Sequence, residues 1–275
     1  MRDPVRDLLR ADPGAADPLG RHATDAHPGV EGKAEAEAQD DSDEEQLSEL
    51  QDRLWAERSR AVLLVLQGMD TSGKSGVIKH VGRPLNPHGV RVKAFKAPSE
   101  EESAHDFLWR IRQALPAFGQ VGIFDRSHYE DVLVVRVHRS VPEDVWRSRY
   151  DAINRFEEEL AGFGTTVVKC LLHVSYDYQR ERLLARLEDP RKRWKFNEGD
   201  IEERALWPAY QEAYADAVRH CSAGAPWYVV PADRKWYRQW AVARILIETL
   251  EEMKPEYPEP AFDVEDLKAR LAPPH

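Results

Sequence analysis

Eight consecutive residues, Gly68-Met69-Asp70-Thr71-Ser72-Gly73-Lys74-Ser75, fit the pattern G-x-x-x-x-G-K-[ST] and are followed by Gly76. Such a loop wraps a phosphate chain with backbone N–H groups and adds the positive end of the helix that follows. Its glycines let the main chain come close, because a Cβ would block the approach. Lys74 is expected to reach phosphoryl oxygens, and the Ser75 hydroxyl is placed to hold Mg²⁺. A second candidate is Asp125, which ends the apolar run Val121-Gly122-Ile123-Phe124 and is followed at once by Arg126. An acid at the carboxyl end of a parallel strand stands where α/β proteins bind their ligands. The third is a cationic stretch, in which Arg180, Arg182, Arg186, Arg191, Lys192, Arg193 and Lys195 occur with Trp194 and Phe196. Arg182 and Arg186 share a helix face. Cations among aromatics also suit single-stranded nucleic acid. Beside a phosphate loop, a mobile lid closing over phosphates is the better account.

The elements around these residues agree with that chemistry. Ala61-Val62-Leu63-Leu64-Val65-Leu66 reads as a strand buried on both faces, and Gly76-Val77-Ile78-Lys79-His80-Val81 as a helix start. Strand, glycine loop and helix is the context that the motif requires. A second strand runs over residues 89–96, alternating apolar and basic residues, and Ser99 with Glu102 forms a capping box opening a helix that carries Phe107, Leu108 and Ile111. A third strand ends at Asp125. Residues 142–160 form an amphipathic helix, residues 165–174 a fourth strand and residues 227–231 a fifth. The lid is expected over residues 178–203. A last strong helix carries Trp236, Trp240, Ala243, Ile247 and Leu250 on one side, so it packs on the sheet.

Residues 1–50 hold 14 acids against 5 bases, which leaves the rest of the chain nearly neutral despite the overall charge of -10. A neutral body with local basic clusters is compatible with a polyanionic ligand. Residues 1–42 are rich in Ala, Gly, Pro and Asp without apolar periodicity and are expected to be a disordered acidic tail. The folded domain is then 43–275, entered by a helix that Ser42 and Glu45 cap and that carries Leu47, Leu50, Leu54 and Trp55. Cys170 and Cys221 are expected to be free thiols in a reducing cytoplasm. The N-terminus lacks an apolar segment of the secretory kind, and no run is long enough to span a bilayer.

The sequence resembles the family-2 polyphosphate kinases. The likeness is carried by residues 68–76, by Phe95-Lys96-Ala97-Pro98, by His105-Asp106-Phe107-Leu108-Trp109-Arg110, by residues 124–134 and by Arg193-Trp194-Lys195-Phe196. These blocks occur in order between about residue 45 and about residue 255. The resemblance implies a P-loop NTPase fold of the thymidylate-kinase kind, with a parallel five-stranded sheet, flanking helices and a helical lid. It implies phosphoryl transfer between inorganic polyphosphate and nucleoside mono- or diphosphates with Mg²⁺ (Mn²⁺ as the alternative metal), and a homo-oligomer, dimer or tetramer. It makes Asp70 and Asp125 the essential acids, Lys74 the loop lysine, Arg126 the strand-end arginine, and Arg182, Arg186 and Lys195 the lid cations. Many members have Asp or Gly where this chain has Ser75. The expected phosphate contacts are Gly68, Met69, Thr71, Ser72, Gly73, Lys74, Ser75, Gly76, Lys79, Lys96 and Lys195. Rival readings are an ATP-dependent nucleoside monophosphate or small-metabolite kinase, and a non-catalytic nucleotide-binding protein.

Overall fold

The computed structural model describes residues 3–271. Five parallel strands form one sheet in the order β2-β3-β1-β4-β5: β1 (Ala61–Gln67), β2 (Val90–Ala94), β3 (Val121–Asp125), β4 (Thr165–His173) and β5 (Trp227–Pro231). Every residue of β1 is buried, as its unbroken apolar run requires of a central strand covered on both faces. β2 is one of the two edges, and its Arg91, Val92 and Lys93 are exposed. The charges suit an edge, where they discourage pairing with another chain.

Among the described residues the helices are α1 (Val5–Leu9), α2 (Lys33–Glu57), α3 (Lys74–Gly82), α4 (Glu100–Ser103), α5 (Trp109–Arg112), α6 (Val134–Val137), α7 (Glu143–Gly162), α8 (Tyr176–Glu188), α9 (Gly199–Ala205), α10 (Trp207–His220), α11 (Lys235–Met253) and α12 (Val264–Leu271). The apolar stripe of α11 is buried at Trp240, Ala243, Ile247 and Leu250, as its spacing predicts. The Ser99–Glu102 capping box is present, but α4 ends at Ser103 and the stretch holding Ile111 starts a separate helix, α5.

The N-terminal segment differs from its expectation. Residues 3–42 are ordered against the body and are not a disordered tail. Val5, Leu9, Leu19 and Val30 are buried in the common core, and Leu9 is 0% exposed. The Ala11 amide donates to the Trp227 carbonyl at 2.8 Å, and the Val5 and Arg6 amides donate to the Glu248 carboxylate at 2.9 Å each. The apolar residues here are too irregularly spaced for a helical or strand period. Helix α1 packs against α11 and β5. Helix α2 starts at Lys33, so Ser42 lies inside it and donates its hydroxyl to the Gln39 carbonyl at 2.8 Å, where a cap was expected. Residues 1–2 of the expected tail and 272–275 of the expected domain lie outside the described residues. Among the described residues no helix is long and apolar enough to cross a membrane. Cys170 and Cys221 are free and buried.

Candidate active site

The chain leaves β1 into the phosphate loop at a turn that demands glycine. Gly68 has φ 148°, and a Cβ there would lie 2.7 Å from the Leu172 carbonyl oxygen. Gly73 has φ 99°, and a Cβ there would lie 2.3 Å from Nε of Arg238. Lys74 opens α3 and is buried; its ammonium donates to the carbonyls of Gly68 at 2.7 Å and Met69 at 3.3 Å. The Thr71 and Ser72 hydroxyls are buried without a hydrogen-bond partner. Buried polar atoms normally have partners, so these two groups fit a loop built to meet a polar ligand.

Strand register brings the second part of the site alongside. Leu66 of β1 faces Asp125 of β3, so the two strands end side by side. Arg126 then turns with φ 63°, its amide donating to the Leu66 carbonyl at 3.0 Å. Five non-glycine residues among those described have such left-handed backbone. Arg58, Arg139 and Lys254 lie at helix ends, where the conformation is routine. Thr71 and Arg126 are the other two, one in each half of this site. Strain of this kind gathers where function requires a particular geometry.

The turn aims the Arg126 guanidinium back across the site. Its Nη2 donates to Asp70 Oδ1 at 2.9 Å, and its Nε lies 3.9 Å from Glu130 Oε2. Asp70 and Arg126 are each 37% exposed, so the pair contributes no more than about 1 kcal/mol to stability, and its use is orientation. Burial, and then the nearby Arg126 charge, lower the pKa of Lys74, while Asp70, Asp125 and Glu130 hold it up. Burial also works against the Arg126 charge, but Glu130, Asp70 and Asp125 outweigh it and keep this group above its ordinary value. Burial raises Glu130 against the opposing pull of Arg126 and Lys74. Two cations and three acids therefore act on one another at the ends of β1 and β3.

A cavity of about 670 Å³ opens in front of this cluster. Gly68, Met69, Asp70, Lys96 and Arg126 line it, as do Arg110, Arg149, Glu130 and Tyr214. Arg110 is 8% exposed and donates to the Lys96 carbonyl at 2.8 Å, so it belongs to the wall and not to a solvated helix face. Asp125 stands behind the lining, and its charge reaches Lys74 and Arg126. Ser75 is exposed on the first turn of α3. Lys79 lines a different, smaller cavity with His80, Arg83 and Lys235.

The lid cations are not in the cavity wall. Arg182 is exposed, and Lys195 lies 5.1 Å from the Trp194 ring centre, with both residues exposed. Arg186 is 3.3 Å from Asp200 and donates to the Lys195 carbonyl. Helix α8 buries Gln179 and Leu183, which leaves Arg182 on its outer side. The lid meets the cavity instead through Glu203 of α9, which lies 2.7 Å from His138 and accepts from the Tyr210 hydroxyl at 2.6 Å.

Sequence reasoning passed over Glu130, Arg149 and Tyr214. Glu130 was within reach, since it is four residues past Arg126. Arg149 sits on α7 and donates to Asp131 at 2.9 Å, and no local spacing announces that contact. The donor chemistry fits Mg²⁺. Asp70 and Asp125 are hard carboxylate donors beside Lys74, and this ion commonly takes one or two carboxylates and leaves its other positions to phosphate oxygens and water. A further group, Asp40, Glu44 and His80, lies between α2 and α3, with Arg83 paired to both carboxylates.

A phosphate loop after a central strand, an acid and an arginine at the end of its neighbour, and a helical excursion beside the cavity define a phosphate-loop phosphotransferase. The chain belongs to the polyphosphate kinase 2 family: the profile described as "Polyphosphate kinase 2 (PPK2)" matches residues 31–258. The AMP/ADP-polyphosphate phosphotransferase of Meiothermus ruber is 54% identical over 215 residues, covering 78% of this chain and 80% of that one. The ADP-polyphosphate phosphotransferase of Rhodopseudomonas palustris is 43% identical over 267 residues, covering 92% of each. The crystal structure of polyphosphate kinase 2 from Arthrobacter aurescens superposes with a TM-score of 0.95 at 43% identity, over 98% of this chain and 97% of that one.

Proposed function

We propose that this chain transfers phosphoryl groups between inorganic polyphosphate and nucleoside mono- and diphosphates, converting AMP to ADP and ADP to ATP with Mg²⁺. The observation that carries this reading is the electrostatic cluster of Asp70, Lys74, Asp125, Arg126 and Glu130, of which Asp70, Arg126 and Glu130 line a cavity large enough for a nucleotide. A phosphate oxygen of the acceptor nucleotide is already ionised at neutral pH, so no strong general base is required. It attacks the terminal phosphorus of the polyphosphate; a new P–O bond forms, and the bond to the rest of the chain breaks with its electron pair on the departing phosphate. Positioning and charge neutralisation supply most of the barrier reduction.

Lys74 and the loop amides grip phosphates near the reaction centre. Arg126 neutralises charge on the transferring group. Asp70 and Asp125 hold Mg²⁺, which when bound screens the charge between the two phosphates. Arg182, Arg186 and Lys195 engage the polyphosphate when the lid moves inward, because Arg182 and Lys195 are exposed and Arg186 is paired within the lid. Family membership supports a cytoplasmic homo-oligomer, dimer or tetramer. Supplying polyphosphate or ATP as sole donor, with AMP, ADP, GMP and GDP as acceptors, tests the reading. Product from polyphosphate and an adenine nucleotide is expected. Turnover with ATP alone would replace the reading with that of an ordinary nucleotide kinase.

A further inference from the structure

The lid is joined to the phosphate loop by buried side chains at its base. Gln179, in the first turn of α8, is 2% exposed. Its Nε2 donates to the main-chain carbonyl of Asp70 at 3.2 Å, and its Oε1 accepts from Arg204 Nη1 at 3.1 Å. Arg204 belongs to α9, the returning arm of the lid, and also donates to the Tyr176 carbonyl at 2.6 Å. One amide therefore holds three things together: the outgoing arm, the returning arm and the loop. A second tie runs parallel to it. Arg238 of α11 is 5% exposed, packs against Gly73 and donates to the Tyr178 hydroxyl at 2.9 Å.

The carbonyl that Gln179 holds belongs to the peptide between Asp70 and Thr71, and Thr71 has φ 67°. A left-handed backbone at a β-branched residue persists only when its surroundings over-determine it. Gln179 fixes this peptide on one side, and Arg126 holds the Asp70 carboxylate on the other. We infer that Gln179 is a positioning residue, which sets the orientation of Asp70 according to the arrangement of the two lid arms. A shift of α9 against α8 pulls on Arg204, then on the Gln179 amide, then on the Asp70–Thr71 peptide. Lid closure and the placing of Asp70 are in this way one motion.

The inference rests on the proposed reaction, and two substitutions separate them. Gln179→Met removes both hydrogen bonds. Gln179→Glu keeps an acceptor for Arg204 but sets a carboxylate against the Asp70 carbonyl, so it preserves the lid anchor and breaks the loop anchor. With polyphosphate and ADP, both variants are expected to lose at least about tenfold in kcat, with the KM for ADP within about twofold of the parent. The Mg²⁺ concentration for half-maximal rate should rise. Hydrogen exchange of the loop amides at 68–73 should quicken in both, whereas α8 keeps its protection in Gln179→Glu. A Gln179→Glu enzyme with unchanged kcat and unchanged loop exchange overturns the inference while the parent still turns over. So does a loss of activity in both variants that merely tracks a fall in Tm. A parent without polyphosphate-dependent turnover sinks the reaction itself.

Discussion

The ends of β1 and β3 and the lid from α8 to α9 are two cation-bearing regions of this molecule, and they are built in opposite ways. At the strand ends Lys74 is buried, Arg126 is locked by a left-handed turn and an ion pair, and each charge is shifted by its neighbours. In the lid Arg182 and Lys195 are exposed, and Arg186 is held by Asp200 and the Lys195 carbonyl of the same excursion. The first region is organised before substrate arrives, which is what makes fixed dipoles and charges effective in catalysis. The second keeps its charges in water, where each is worth little until closure excludes solvent. The comparison teaches that the number of cations in a segment says less about rate than the geometry that holds them.

The largest effect should come from the strand ends. Arg126→Ala is expected to lower kcat by about 10³- to 10⁵-fold, the range for removing an arginine that neutralises a transferring phosphoryl group. A loss below about tenfold would assign Arg126 a structural role and erase the contrast between the regions. Asp125→Asn should cost about 10²- to 10³-fold, as for other losses of a preorganised charged or polar group. Near-normal turnover in a folded Asp125→Asn enzyme removes that residue from the chemistry.

In the lid, Arg182→Ala and Arg186→Ala should each raise the KM for polyphosphate by about two- to fivefold, the worth of a solvent-screened charge, with a smaller change in kcat. Steady-state kinetics at 0.1 and 0.5 M salt sharpen this. The exposed contribution should fade as the screening length shortens, while the effect of Arg126→Ala persists. Equal salt sensitivity in both regions would count against the distinction.

The smallest effect concerns pH. Burial raises Glu130, so on acidification it takes up a proton at a higher pH than a free glutamate does. Protonation removes a negative partner of Arg126. The acid limb of the kcat profile should therefore lie above the free-glutamate value of about 4.3, and Glu130→Gln should move it to lower pH. An unmoved limb in that variant assigns it to another group. Lys74 is displaced downward by burial, so the alkaline limb is expected below the ordinary lysine range.

The phosphate loop, its flanking strand and helix, and the strand-end Asp125-Arg126 pair are legible in the sequence because contiguous residues specify them. The parallel sheet follows from four apolar runs and one alternating stretch spaced by helices, and all five strands fall where these do. The packing of residues 3–42 is not legible in the same way. Val5 and Ala11 find their partners on α11 and β5, at Glu248 and Trp227, more than two hundred positions away. Nor does any local signal mark Gln179, which reads as one polar residue in a polar helix until its amide meets the Asp70 carbonyl.

The sequence by itself settled which chemistry this protein carries, because a phosphate loop is made from residue types in a row and a main chain that glycine leaves open. Tertiary structure alone decided which charges share one field. Register put Asp125 beside the end of β1, the turn at Arg126 aimed a guanidinium at Asp70, and the buried face of α8 left Arg182 outside. The reason is range: backbone conformation and periodicity are encoded over a few residues, whereas electrostatic coupling depends on distances through space between elements far apart in the chain.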